Sequence, residues 1–311
     1  MRPILFEFEL PLIGQVQFPS FLTLVLVGFL VAVIGARRAA RRAGIDGERV
    51  VDMAVVCLVF GLLGARLLAV LTDGKLMDFV HLCTDPTQVS AADARVPWCD
   101  SDEECGYDYR CDPDARDQVL AGERDSMCYP PRDCLAALKF WQGGLTFYGG
   151  LLFAIPAAIL YCRRRRLSFL TMADLSAPFL LVGQAIGRLG CFLEGCCYGG
   201  RTDGPFGVTM PGHYGRLHPT QLYEAGVCLA LAALLYFVLR LRARGRGEMF
   251  GWLLVTYGAA RAALELLRDD PRGALGPLST SQLIAIPAVV LGIWLVARAR
   301  RGGQSPAIPV E

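Results

Sequence analysis

Arg66, Arg188 and Arg261 each stand inside a long apolar run of the sequence. An ionised side chain at membrane depth is costly, so such residues face a protein interior or a wet cavity and carry function by default. All three runs read as helices travelling outward, with each arginine about five to seven residues before the outer end. At about 1.5 Å per helical residue, that puts the guanidinium groups roughly 8–10 Å below the outer surface. Tyr148 lies about six residues into an inward-running segment and reaches a similar depth. Tyr257, Arg261 and Glu265 recur every fourth residue, which stacks them on one helix face, and Arg268 follows on the next turn. Phosphate is the natural ligand for arginines gathered at headgroup depth, because the guanidinium fork binds it bidentately and stays charged. These residues point to a cavity open to the outer leaflet that takes an anionic lipid or a phosphate. A purely structural arrangement stands beside that reading. In it the arginines pair with Glu194 and Glu265 or snorkel to the interface.

The elements that must position these groups are membrane helices. The chain has 311 residues, 54% of them hydrophobic and only 19% charged, which is low charge for a soluble domain. Seven apolar segments near 19–36, 50–71, 142–162, 172–193, 220–240, 249–268 and 281–297 approach the ~20 residues that cross a bilayer as helix. The expected fold class is an all-α polytopic membrane protein with seven transmembrane helices. Arginine clusters follow the odd-numbered segments: Arg37 to Arg42, Arg163 to Arg166, Arg240 to Arg246 and Arg298 to Arg301. By the positive-inside rule the N-terminus is then outside and the C-terminus cytoplasmic. The first segment follows Glu7 and Glu9, with its basic cluster behind it, so it reads as a retained helix and not as a signal peptide.

Residues 72–141 differ from the rest. They are acidic and hold Cys83, Cys99, Cys105, Cys111, Cys128 and Cys134. On the outer side such an even set in a short polar stretch reads as an extracytoplasmic Cys-rich module closed by disulfides. The pairing is open, and a zinc site is disfavoured because no C-x2-C pair occurs there. The expected organisation is an outer segment with two helices (1–71), this insert (72–141), five helices around the cavity (142–297) and a cytoplasmic tail (298–311). Cys57, Cys162 and Cys228 lie in apolar runs and read as packing residues.

Several segments resemble the prolipoprotein diacylglyceryl transferase family. Gly187-Arg188-Leu189-Gly190-Cys191-Phe192-Leu193-Glu194-Gly195 resembles its GRxGNFxNGE signature. His218-Pro219-Thr220-Gln221-Leu222-Tyr223-Glu224 resembles HPSQLYE, and Gly143-Gly144-Leu145-Thr146-Phe147-Tyr148-Gly149-Gly150 resembles GGxSFHGG. Tyr257-Gly258-Ala259-Ala260-Arg261 through Glu265 and Arg268 resembles YGxxRxxxExxR. Gly64-Ala65-Arg66 and Asp174-Leu175-Ser176-Ala177-Pro178 are similar to GGR and DxxAP. The resemblance covers nearly everything except about 72–135. It implies an enzyme of the bacterial inner membrane that moves the sn-1,2-diacylglyceryl unit of phosphatidylglycerol to the lipobox cysteine of a prolipoprotein signal peptide. Glycerol-1-phosphate would leave and a thioether would form. It makes Arg188 and Arg261 the phosphate-side catalytic arginines, with Glu265 orienting Arg261 and Tyr257 on the same face. Tyr148 joins them, and Arg66, Arg268, His218, Gly190, Cys191 and Gly199 fall on the substrate-binding side. No cofactor, metal or nucleic acid is expected; membrane lipids are the other partner.

The sequence departs from the pattern at three places. Tyr148 replaces a histidine, Cys191 an asparagine and Cys196 a glutamate, with Cys197 next to it. A phenol with an ordinary pKa near 10 is a poor base at neutral pH, so Tyr148 reads as an orienting group. The proton acceptor is then His218, a water or the leaving phosphate, and His218 reads equally well as structural. For Cys191, Cys196 and Cys197 a disulfide or plain packing is expected, and C-x4-C-C is a weak metal pattern. The departures keep two alternatives in view: a divergent paralogue with another donor or acceptor, and a non-catalytic lipid-binding membrane protein.

Overall fold

The computed structural model describes residues 4–10, 14–72, 76–89, 98–105, 109–121, 127–139, 145–210, 214–268, 274–275 and 278–302. Gly143 and Gly144 of the tyrosine motif lie outside the described residues. Helices dominate: α1 (Ser20–Arg42), α2 (Gly47–Thr72), α3 (Leu76–Thr84), α4 (Arg116–Leu120), α5 (Phe147–Arg164), α6 (Phe169–Glu194), α7 (Thr220–Ala233), α8 (Arg240–Arg242), α9 (Glu248–Glu265) and α10 (Thr280–Arg301). A π-helical stretch, Leu234–Leu239, joins α7 to α8. The strands, beginning with the N-terminal hairpin of β1 (Ile4–Leu10) and β2 (Gly14–Pro19), form separate two-stranded pairs.

Among the described residues, five helical segments are long and apolar enough to cross a membrane: Ser20–Arg42, Gly47–Leu71, Phe169–Glu194, Thr220–Arg242 and Gln282–Arg301. The chain is therefore a multi-pass membrane protein. The sequence pattern suggests seven such segments. The remaining two coincide with α5 and α9, each 18 residues long. They are less apolar because α5 ends on Arg163 and Arg164 and α9 carries Glu248, Arg261 and Glu265.

The chain divides into two compact units, Met1–Ala54 with Cys162–Glu311, and Val55–Tyr161. In the first unit α6 is central and packs on α1, α7 and α9, while α9 also packs on α10. Small residues permit this. At Gly28 of α1 an added Cβ would stand 2.6 Å from the Gly183 carbonyl oxygen of α6, and at Gly251 of α9 it would stand 2.9 Å from that of Gly292 in α10. Such close backbone approach replaces the hydrophobic drive that is missing between helices in lipid. The buried core between α6, α7 and α9 is Ala177, Leu181, Ala185, Ala225, Cys228, Ala232, Leu235, Met249 and Leu253. Cys162 and Cys228 are buried as expected of packing residues.

Asp174 fixes where α9 begins. Its buried carboxylate accepts the backbone N–H of Gly247 at 2.6 Å and of Phe250 at 2.8 Å. Both donors belong to the first turn or the residue before it, groups that have no partner within the helix. Glu248 beside them accepts Arg300 of α10 at 2.9 Å, which ties the arginine-rich ends together.

In the second unit Gly64 of α2 and Gly149 of α5 lie backbone to backbone, where a side chain at either would meet the other's carbonyl. The insert holds three disulfides, Cys83–Cys134, Cys99–Cys111 and Cys105–Cys128. The last two enclose a small core with Ala115 and Met127, beside the pairing of β3 (Arg110–Cys111) with β4 (Cys128–Tyr129). Disulfides do here what a larger apolar core would do in a bigger domain.

Candidate functional site

The buried polar groups of the first unit meet where α6, α7 and α9 pack. Arg188 of α6 lies 3.0 Å from Glu224 of α7, measured Nε to Oε1. Glu224 is 1% exposed. The Tyr257 hydroxyl of α9 donates to the same Glu224 oxygen at 2.9 Å. Gln184, one turn before Arg188, offers its amide to that oxygen at 3.5 Å and to the Tyr257 hydroxyl at 3.3 Å. One carboxylate thus organises groups from three helices. A buried charge persists only when paired and hydrogen-bonded, and Glu224 is both.

The next turn of α9 holds the second pair. Arg261 and Glu265 are 2.6 Å apart, with each side chain 10% exposed. The four-residue spacing of Tyr257, Arg261 and Glu265 read from the sequence is thus a continuous polar stripe. The structural alternative pairs the arginines with Glu194 and Glu265. Arg261 does meet Glu265, but Arg188 meets Glu224, whereas Glu194 ends α6 on the exposed surface.

Glu224 and Gln184 are site residues that sequence reasoning misses. A signal for the first exists: a glutamate inside an apolar helix invites the same question as an arginine. Glu224 is easily passed over because it closes a seven-residue motif whose histidine attracts attention. Gln184 carries no charge, so nothing marks it.

Beyond the end of α6 the chain turns at Gly195 (φ 82°) and Cys197 (φ 68°). Positive φ is uncommon for a non-glycine residue and is costly without support. Support comes from the start of α7. Thr220 donates its hydroxyl to the Cys197 carbonyl at 2.8 Å, and Gln221 donates its amide to the Cys196 carbonyl at 2.5 Å. The sulfurs of Cys191, Cys196 and Cys197 all lie within 4.8 Å of one another. Arg268 hydrogen-bonds the Cys197 thiol. The Cys197 thiol is pulled well below its usual pKa, first by the Cys191 thiol, then by Cys196 and by Arg268. The disulfide expected as one option among these three is not formed: all are free thiols.

Gly199, His218 and Arg268 are stitched into one corner. Gly199 donates its N–H to the His218 carbonyl at 2.9 Å, and its backbone bridges to Arg268. A Cβ on Gly199 would run into the Leu267 carbonyl and lie 2.7 Å from Thr220. The His218 ring sits 3.3 Å from the Tyr223 hydroxyl through Nδ1. Gly190 packs against α1, where a Cβ would stand 3.1 Å from the Phe21 Cα.

Arg66 and Tyr148 belong to the other unit. The Arg66 guanidinium donates to the carbonyls of Ala136 at 2.7 Å and Ala137 at 2.8 Å and lies over the Phe79 ring. It joins α2 to the base of the insert. Tyr148 is half-buried in the first turn of α5, edge-on to Phe147.

A family model described as "Prolipoprotein diacylglyceryl transferase" matches residues 9–92 and 121–298. The gap in the match falls within the Cys-rich insert. A phosphatidylglycerol–prolipoprotein diacylglyceryl transferase from Clostridium tetani is 29% identical over 95% of this chain and 96% of its own length. One of the same name from Nitratidesulfovibrio vulgaris is 29% identical over 94% of this chain and 93% of its own. The Geobacter sulfurreducens protein is 37% identical over 55% of this chain and 68% of its own.

Proposed function

The chain belongs to the prolipoprotein diacylglyceryl transferase family, and we propose that Arg188 and Arg261 hold the phosphate side of its lipid donor. It is a transferase that moves the diacylglyceryl group of phosphatidylglycerol to a cysteine of a prolipoprotein, the first step of lipoprotein maturation. The observation that carries the assignment of roles is the pair of guanidinium groups, Arg261 buried and Arg188 half-buried, each anchored through one carboxylate on packed helices. Glu224 and Glu265 fix the arginines before substrate arrives. Donors held in place beforehand stabilise charge that develops on a leaving phosphate without a reorganisation cost. Tyr257, locked on Glu224, holds α7 and α9 in register around them.

The acceptor thiol must lose its proton to attack the glyceryl carbon. His218 sits at the head of α7 with its Nδ1 engaged to Tyr223. We assign it to the substrate side together with Arg268, Cys191, Gly190 and Gly199, and Tyr148 to orientation of the incoming groups. Arg66 acts at one remove, by seating the insert. The donor is phosphatidylglycerol and the acceptor the lipobox cysteine of a prolipoprotein signal peptide.

All seven segments cross the membrane in this reading. At 18 residues, α5 and α9 are about 27 Å long, close to the ~30 Å hydrocarbon core. The arginines at the ends of α1, α5, α8 and α10 support, by the positive-inside rule, a reading with those ends cytoplasmic and the N-terminus in the periplasm of the inner membrane. The insert then lies outside as a separate disulfide-stapled module, and the segment after residue 297 is a cytoplasmic tail.

The test is complementation. The chain is expressed in cells depleted of their own diacylglyceryl transferase, and precursor lipidation is read by mass shift. Lipidation that disappears in Arg188→Ala and Arg261→Ala supports the reading. Inserted protein without lipidated precursor would move a paralogue with another donor or acceptor, or a lipid-binding protein, to the front.

A further inference from the structure

Three cysteines of the membrane region behave unlike the other nine. The six in the insert are all paired as disulfides, while Cys57, Cys162 and Cys228 lie singly within helices. Cys191, Cys196 and Cys197 remain free thiols although their sulfurs lie within 4.8 Å of one another. Thiolates sharing a zinc-sized ion stand roughly 3.7–4 Å apart, given a metal–sulfur bond of about 2.3 Å.

The backbone is built to gather them. Cys191 sits in the last turn of α6, and Gly195 reverses the chain with a left-handed turn. The Gly195 and Cys196 amides both return to the Cys191 carbonyl at 3.1 Å. Cys197 then takes a positive φ, held by Thr220 on its carbonyl. Charge is also provided for. Arg268 lies within hydrogen-bonding reach of the Cys197 thiol. Three thiolates around a divalent ion leave one net negative charge, which the Arg268 guanidinium balances while Arg188 stays paired with Glu224.

We propose that Cys191, Cys196 and Cys197 form a three-thiolate site for a soft d10 cation of the zinc class at the outer end of α6. Soft thiolate ligands select such ions over magnesium or calcium. Cys191 is buried and the other two are half-buried, so the site is walled on the protein side and reachable from outside. Three protein ligands leave a fourth position for water or another soft donor, the arrangement of open zinc sites. Because the ligands span the end of α6 and the segment leading to α7, a bound ion would also lock the corner that holds Gly199, His218 and Arg268.

The test uses the full-length chain, purified anaerobically in detergent without reductant so that the insert disulfides stay closed. Cadmium is titrated in and thiolate-to-cadmium charge transfer is followed in the ultraviolet. The expected result is saturation at one ion per chain, with zinc displacing cadmium. Cys191→Ser and Cys197→Ser should each weaken binding at least tenfold, and Cys57→Ser should leave it unchanged. Buried Cys191→Ser risks misfolding, so the half-buried Cys197→Ser decides, with its metal-free melting curve checked against the parent. Absence of stoichiometric binding, equal binding by Cys197→Ser, or a disulfide among the three in the purified protein by peptide mapping would each overturn the proposal.

Discussion

Glu224 on α7 and Arg188 on α6 form an ion pair of 3.0 Å, and the same carboxylate oxygen takes the Tyr257 hydroxyl from α9 at 2.9 Å. Removing one member of a buried pair strands the other, which costs about 3–5 kcal/mol. Glu224→Gln keeps the shape but leaves the arginine uncompensated. We expect a melting temperature lower by several degrees in detergent, and transfer reduced more than tenfold per folded molecule. Glu224→Asp should recover part of the stability and little of the activity, because the shorter side chain pulls the oxygen away from both partners. A fully active Glu224→Gln would remove Glu224 from the site.

Arg261 and Glu265 lie one turn apart on α9 at 2.6 Å. If Glu265 orients the guanidinium, its loss should appear in turnover more than in donor binding. Arg261→Ala is expected to lower transfer by about 100- to 1,000-fold, the usual loss for one preorganised donor at a developing charge. Arg261→Lys should recover little, because an ammonium lacks the bidentate fork. Glu265→Gln should lie between these and the parent. Initial rates over a range of phosphatidylglycerol in mixed micelles separate kcat from KM. An unchanged kcat in Glu265→Gln would show that the pair is structural only.

Much of this site is legible from residue type and spacing. Charged residues inside apolar runs name Arg188, Arg261 and Glu265 because lipid tolerates them only for a reason. Helical periodicity puts Tyr257, Arg261 and Glu265 on one face. Glu224 escapes notice as the hub because its role is set by contacts between helices that are distant in sequence, and periodicity reports only on one helix at a time. Arg66 shows the same limit from the other side. Counting along its helix groups it with the other arginines, and that count is silent on the Ala136 and Ala137 carbonyls of the insert to which its guanidinium donates. The disulfide pairing is open among fifteen possibilities, since it depends on how the chain between the cysteines folds back. The crowding of Cys191, Cys196 and Cys197 is equally invisible, because it depends on left-handed turns at Gly195 and Cys197.

Asp174 gives a prediction about stability alone. It caps α9 through two backbone N–H groups from the arginine-rich side of the bundle, away from the Arg188 cluster along α6. Loss of a helix cap costs about 0.5–2 kcal/mol. Asp174→Ala should therefore lower the melting temperature while each folded molecule keeps parental transfer activity. Asp174→Asn should be milder, since an amide oxygen still accepts. Melting curves and active-molecule counts in the same detergent preparation check both statements. Activity per folded molecule that falls in parallel with Arg261→Ala would instead mean that α9 is positioned by this cap for catalysis.

The insert offers a pH dependence with a definite sign. Asp133 binds Lys139 at 2.5 Å and accepts the Leu135 amide at 3.1 Å. The Lys139 contact, followed by the Leu135 N–H, holds the Asp133 carboxyl below its ordinary value of 3.8. A depressed carboxylate pKa stabilises the folded form above the unfolded value, and that contribution is lost as pH falls through the folded value. The base of the insert should accordingly stay closed at neutral and mildly acidic pH and loosen only below about 3.8. The Leu135 amide reports this directly by hydrogen exchange corrected for its intrinsic rate. Protection should be flat from pH 7 to about pH 4 and decline below that, and Lys139→Gln should move the decline upward toward the ordinary aspartate range. Because the Cys83–Cys134 disulfide stays intact throughout, the loosening should be local and reversible. Protection that is already lost at neutral pH in the parent would show that the Asp133–Lys139 contact does not hold the insert.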